Sequence, residues 1–217
     1  MARIDSLRTL LVQELRDIYD AEKRLTKAIP KLAKAATSED LSGALEEHLT
    51  QTEEQVTRLE RAFEALGEPA KGKECAGIKG IIEEGDEHVG EDFGDDGLRD
   101  ATIIGSAQRV EHYEIAAYGT AIAHARLLGQ DEVVSLLEET LEEEISADEK
   151  LTEIAEQVVN PDAASGEKDE ATEESDDREM VGAASGAKSG QATKRGNGGR
   201  GAGAGRRNGR SRSSRSR

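Results

Sequence analysis

Val133-Val134-Ser135-Leu136-Leu137-Glu138-Glu139-Thr140-Leu141-Glu142-Glu143-Glu144-Ile145-Ser146-Ala147-Asp148-Glu149-Lys150-Leu151, continuing to Val159, is the stretch that decides the fold. Read at alternating steps of three and four, one stripe runs Val134, Leu137, Leu141, Glu144, Asp148, Leu151, Ala155, Val158. Such spacing marks the buried face of a long amphipathic helix. Six of these eight positions are apolar, and the two at the centre are carboxylates. A carboxylate buried without a partner takes up a proton or finds a cation. Glu144 and Asp148, one turn apart on one face, therefore point to metal ions held inside a helical bundle.

The same interruption recurs along the chain. A first helix capped near Asp5-Ser6 carries Leu11, Leu15, Ile18, Glu22, Leu25, Ile29 and Leu32, with Pro30 predicting a kink rather than an end. After Thr37-Ser38-Glu39-Asp40 a second helix carries Leu41, Leu45, His48, Thr52, Val56, Leu59, Phe63 and Leu66, and stops at Gly67. Residues 67–97 are glycine-rich, with one short helical segment around Gly77–Val89. A third long helix, about Leu98 to Leu128, carries Ile103, Ala107, Val110, Glu114, Ala117, Ala121, Ala125 and Leu128, with Glu111 on its flank. Gly129 then makes a tight connection into the fourth. Helix, tight turn, helix, long crossover, helix, tight turn, helix is the ferritin-like order of an all-α four-helix bundle.

Composition agrees. Aromatic residues are only 2% and Trp is absent, so the core must be built from Leu, Ile, Val and Ala, which suits helix-on-helix packing. The single cysteine, Cys75, excludes an internal disulfide framework and fits a reducing compartment. It reads as a small packing residue. No apolar run reaches bilayer-spanning length, and Met1–Asp5 leads straight into the first amphipathic helix, so a cytoplasmic location is expected.

Two regions are expected: a bundle over residues 1–160 and a tail over 161–217. The tail begins with a mainly acidic run, Glu167–Glu179, and ends in a Gly/Ala/Arg/Ser stretch. Too few apolar side chains remain there to offset chain entropy, so disorder is expected. The net charge of −17 is uneven: residues 183–217 hold ten Lys or Arg and no acid, while residues 1–182 hold 19 bases against 46 acids. An acidic domain repels nucleic acid. The basic end has no interleaved aromatics, which suits phosphate contact rather than base readout.

Helices of about 30 residues are roughly 45 Å long, and antiparallel packing brings their midpoints to one level. Glu22, His48, Glu111, Glu114, Glu144 and Asp148 then converge on one layer of an apolar core. Sets of carboxylates with histidine in bundle cores suit iron or manganese. The blander alternative is a group of buried acids hydrogen-bonded to tyrosine or paired with arginine. Tyr19 and Tyr118, one turn from Glu22 and Glu114, are candidate hydrogen-bond donors to them. Glu138, Glu139, Glu142 and Glu143 fall off the stripe and read as a solvated face, and His88, His112 and His124 as surface or packing residues.

At these residues the chain resembles the YciE/YciF family of ferritin-like proteins. The resemblance rests on Leu15-Arg16-Asp17-Ile18-Tyr19-Asp20-Ala21-Glu22-Lys23-Arg24-Leu25, on His48-Leu49 with Thr52, on Val110-Glu111-His112-Tyr113-Glu114-Ile115-Ala116-Ala117-Tyr118-Gly119, and on Leu141-Glu142-Glu143-Glu144 with Asp148-Glu149-Lys150-Leu151. It covers about residues 5–160 and implies a dinuclear metal site, a homodimer and a link to stress responses. The second helix departs from the family pattern: Thr50, Gln51 and Gln55 stand where relatives often carry Glu, Glu and, in some, His, so the Glu-x-x-His pair is missing. In the fourth helix Asp148 stands where a His is expected. The leading expectation is a dimetal-carboxylate protein acting in metal or oxidant handling, with ferroxidase or peroxide chemistry as the candidate activities. The competing one is a non-enzymatic dimeric scaffold whose Arg-rich tail binds nucleic acid or another polyanion.

Overall fold

The computed structural model describes residues 4–165. The expectations placed on the tail beyond residue 165 lie outside the described residues. Five α-helices follow one another: α1 Leu7–Ala35, α2 Glu39–Ala65, α3 Ala76–Val89, α4 Asp96–Leu127 and α5 Asp131–Ile154. A π-helical turn, Ala155–Val159, continues α5. Among the described residues there is no strand.

The starts of α1, α2 and α4 are each fixed by a side chain that accepts from a free backbone N–H, whereas Gln130 before α5 makes no side-chain cap. Ser6 accepts from Thr9, Ser38 from Leu41, and Asp95 from Gly97 and Leu98. Two helices end in left-handed glycines: α2 at Gly67, φ 66°, where the crossover begins, and α4 at Gly129, φ 68°, in the tight turn to α5. In both, paired backbone bonds close a Schellman motif. Glu68 N–H donates to Phe63 O and Gly67 N–H to Glu64 O; Gln130 N–H donates to Ala125 O and Gly129 N–H to Arg126 O. Both helices stop there because glycine enters that backbone region without strain.

Four long helices form a ring in which α1 packs on α2 and α4, and α5 packs on the same two. The short α3, carried by the crossover, lies against α4 and α1. This is a ferritin-like four-helix bundle. α1 runs unbroken through Pro30. At the other end the helix continues to residue 165, past the expected boundary near Asn160. The π turn ends one residue short of Pro161, whose ring would crowd the carbonyl one turn back. Ala163 is buried against Gly97 at the start of α4.

The interior is two apolar clusters with a polar layer between them. One gathers Leu11, Leu15, Ile18, Leu59, Phe63 and Leu137; the other gathers Leu25, Ile29, Leu45, Ile103, Val110 and Leu151. Each long helix crosses from one cluster to the other, and each crosses at its polar interruption. Burying one such Leu or Ile stabilises the fold by about 1.5–3 kcal/mol, so the clusters carry the layer between them.

One staple was not legible in the stripes. Asp100, buried in α4, accepts from Thr37 N at 2.9 Å, Thr37 Oγ1 at 2.7 Å and Ser38 N at 2.7 Å, tying the α1–α2 turn to α4. Asp100→Ala leaves three donors unpaired. It is expected to cost about 2–4 kcal/mol, read as a lower urea midpoint with an unchanged slope.

Candidate metal centre

The layer is built from one or two side chains per helix. Glu22 comes from α1, His48 from α2, Glu111 and Glu114 from α4 and Glu144 from α5. Glu22 and Glu144 are 0% exposed, Glu114 1%, Glu111 2% and His48 6%. One ligand atom from each of His48, Glu111, Glu114 and Glu144 lies within 4.8 Å of all the others. Oxygen and nitrogen donors about 2.0–2.2 Å from a divalent ion stand at most ~4.4 Å apart across it. The cluster therefore has nearly the span of a coordination sphere.

Hydrogen bonding orients the ring. His48 Nδ1 lies 3.3 Å from Gln51 Oε1. As an N–H it donates there, which leaves Nε2 as the bare lone pair. That Nε2 stands 3.4 Å from Glu111 Oε1 and 3.6 Å from Glu144 Oε2. Tyr118 donates its hydroxyl to Glu22 Oε1 across the bundle. The remaining donors are bare: among the described residues, Glu22 Oε2, His48 Nε2, Glu111 Oε2 and both oxygens of Glu114 and of Glu144 are buried without a hydrogen-bond partner. Native interiors leave few such groups unpaired. Seven bare donor atoms in one layer fit a cation, and the hard-oxygen set with one imidazole fits the chemistry of iron or manganese.

Electrostatics gives the same answer. Burial pushes the Glu111 carboxyl up to about 8, and neighbouring Glu22 and Asp148 add to the rise. Glu22, Glu114 and Glu144 are driven well above the carboxylate range, first by burial, then by neighbouring carboxylates; His48 opposes the rise at Glu144. Burial and the adjacent carboxylates likewise push the Tyr118 phenol well up, keeping it a hydroxyl donor.

Of the six expected site residues four cluster, Glu22 lies beside them against Glu114 and Glu144, and Asp148 stands apart. It sits one turn beyond Glu144, half-buried, where its Oδ1 accepts from Gln108 Nε2 at 3.1 Å and lies 3.5 Å from His112 Nε2. Four residues of helix are 400° of rotation, and the surplus turns Asp148 toward the flank of α4. Glu111, by contrast, points inward, because α1, α3 and α5 all pack on α4 and widen its buried face. The tyrosines also differ from expectation. Tyr118 bonds Glu22 rather than Glu114 of its own helix, and Tyr19 donates to Glu60 at 2.7 Å.

α2 supplies less than a Glu-x-x-His pair would. Thr52 spends its hydroxyl on His48 O at 2.9 Å. Gln55, fully buried, donates its amide to Glu143 Oε2 at 3.0 Å. Glu143 also takes both ends of the Arg58 guanidinium at 2.6 Å, and Arg58 reaches Thr140 at 3.3 Å. This buried arginine fork, charge-assisted and bidentate, closes the α2–α5 seam beside the cluster. The stripe reading assigned Glu143 to solvent. A signal was available in Arg58, one turn beyond Glu54 and one residue before the stripe position Leu59.

A ferritin-like bundle with a buried carboxylate–histidine layer able to hold a metal ion is the class that fold and site define. The chain belongs to the family described as Domain of unknown function (DUF892), whose match spans residues 6–164. It is 42% identical over 159 residues to Protein YciF of Escherichia coli (strain K12), covering 73% of this chain and 95% of that one. The crystal structure of that E. coli protein, titled a stress protein, superposes with a TM-score of 0.69 at 41% identity, over 72% of this chain and 99% of that chain. YcfI from Rhodopseudomonas palustris matches with a TM-score of 0.68 at 46% identity, over 70% of this chain and 97% of that one. Among the described residues no helix is long and apolar enough to cross a membrane.

Proposed function

We propose that this protein holds iron or manganese in the layer between its two apolar clusters. Glu22, His48, Glu111, Glu114 and Glu144 are the ligands in this reading. Asp148 acts on the site through Glu111, whose carboxyl it biases toward the protonated form. His48, Glu111, Glu114 and Glu144, which converge within 4.8 Å, would hold one ion, and Glu22 beside Glu114 would help to hold a second. The observation that carries the reading is the set of seven buried donor atoms without partners.

Bound there, the metal would supply one-electron chemistry toward oxygen or peroxide. The chain's own contribution is to orient and to insulate. Gln51 fixes the His48 ring, Tyr118 holds Glu22, and the two apolar clusters close the layer above and below. The E. coli relative is a stress protein, which extends the proposal to metal or oxidant handling under stress. A homodimer and a cytoplasmic location belong to it as well; the single cysteine, free and buried, agrees with the location.

Metal analysis of the purified protein beside a Glu22→Ala/Glu144→Ala variant is the direct test. Wild type is expected to retain iron or manganese in stoichiometric amount and the variant to lose it. Equal metal in both ends the reading.

A further inference from the structure

His48 and Glu111 are approached from two sides of opposite chemistry. Between α2 and α5 opens a cleft of about 260 Å³ that reaches both residues and is lined by Glu47, Gln51, Ser146, Ala147 and Lys150. Between α1, α3 and α4 a recess of about 30 Å³ reaches the same two residues past Leu25, Ile29, Ile81, Ile82, Ala107 and Val110. The recess has room for about one water-sized molecule. Its polar lining is already engaged, Asp86 by Lys31 at 2.8 Å and Ser106 by His88 at 3.1 Å, so a divalent ion passing that way would shed its hydration mainly among aliphatic side chains, at a cost little there repays. The cleft imposes no such demand. It admits several waters, Glu47 offers a carboxylate at its exposed rim, and Gln51 sits against His48.

We infer that the metal ion enters and leaves through the α2–α5 cleft, and that Lys150 at its rim sets the rate. This inference rests on the metal-binding reading and adds the route and its control. Among the described residues Lys150 is the one cation lining the cleft; its nearest paired acid, Glu153, stands 4.0 Å away and half-exposed, so the ammonium charge is only partly offset. It opposes an incoming cation. Ala147 lines the cleft with a side chain small enough to leave the passage open. Neither residue belongs to the clustered ligand set, so changing them alters access without removing a donor.

The test is the rate of manganese(II) uptake by the metal-free full-length protein, followed as loss of the free-ion EPR signal after rapid mixing. Ala147→Phe is expected to slow uptake by about tenfold or more and to leave the final amount bound unchanged. Lys150→Glu is expected to speed it by roughly two- to tenfold at low salt, an advantage that disappears near 1 M salt, where the screening length is ~3 Å. Wild type that takes up no manganese overturns the metal-binding reading itself. Wild type that loads while both variants load at its rate overturns the route and leaves the site standing. Should Ala147→Phe fail to fold, by circular dichroism, Lys150→Glu decides alone: an unchanged rate at low salt overturns the proposal.

Discussion

Stripped of divalent ions, the protein is expected to lose stability steadily as pH rises from 5 to 8, and manganese(II) added at pH 8 to restore it. The unfolded chain titrates these carboxyls near 4.5, whereas burial raises Glu111 to about 8 and Glu22, Glu114 and Glu144 well above 4.5. Between those values the folded state holds more protons than the unfolded one, so stability falls with pH. The contribution of each group is complete below about 4.5 and is lost as pH passes through its folded value. Each unit of difference is worth about 1.4 kcal/mol, so the layer's total is several kcal/mol, a large share of an ordinary domain's stability. A bound cation replaces the protons. At a hundredfold excess over its dissociation constant it adds about 2.7 kcal/mol. Urea midpoints at pH 5, 6, 7 and 8, with chelator and with manganese, measure both effects. Working in 1 M salt screens the acidic surface. A chelated protein whose midpoint is flat or rises over this range would sink the electrostatic account.

Glu114→Gln should do opposite things to stability and to binding. Both Glu114 oxygens are buried and unpartnered, and its nearest charged neighbours, Glu22, Glu144 and Glu111, all repel it. The amide keeps the shape and removes the charge. Metal-free at pH 8, the variant is expected to be more stable than wild type by about 1–3 kcal/mol. With manganese the order reverses, because a ligand is gone; the loss of affinity should exceed the ~10–100-fold typical of removing a group that merely orients a ligand. Thermal melts of the two proteins with and without manganese contain the whole comparison. A variant less stable than wild type in chelator would show that Glu114 is held by ordinary hydrogen bonding, not kept for a cation.

The local signals and the periodic ones were legible in the chain. Ser6, Ser38, Gly67 and Gly129 punctuate the helices where the residue types say they should, since capping and left-handed turns depend on neighbours a few residues away. The apolar stripes set four long helices and a crossover, and they placed Glu22, His48, Glu114 and Glu144 at one level, because helix rise is constant and antiparallel packing aligns midpoints. Tertiary structure alone decided the rest. Asp148 and Glu111 are each one turn from a buried acid, yet Asp148 turns to Gln108 and Glu111 turns inward. The number of helices packed against each face determines that outcome, and no periodicity records it. Likewise Arg58 with Glu143, Asp100 with the α1–α2 turn, and Tyr118 with Glu22 join positions 62 to 96 residues apart. A one-dimensional pattern fixes which face of a helix is buried; only the packed bundle fixes which polar group on that face meets which partner.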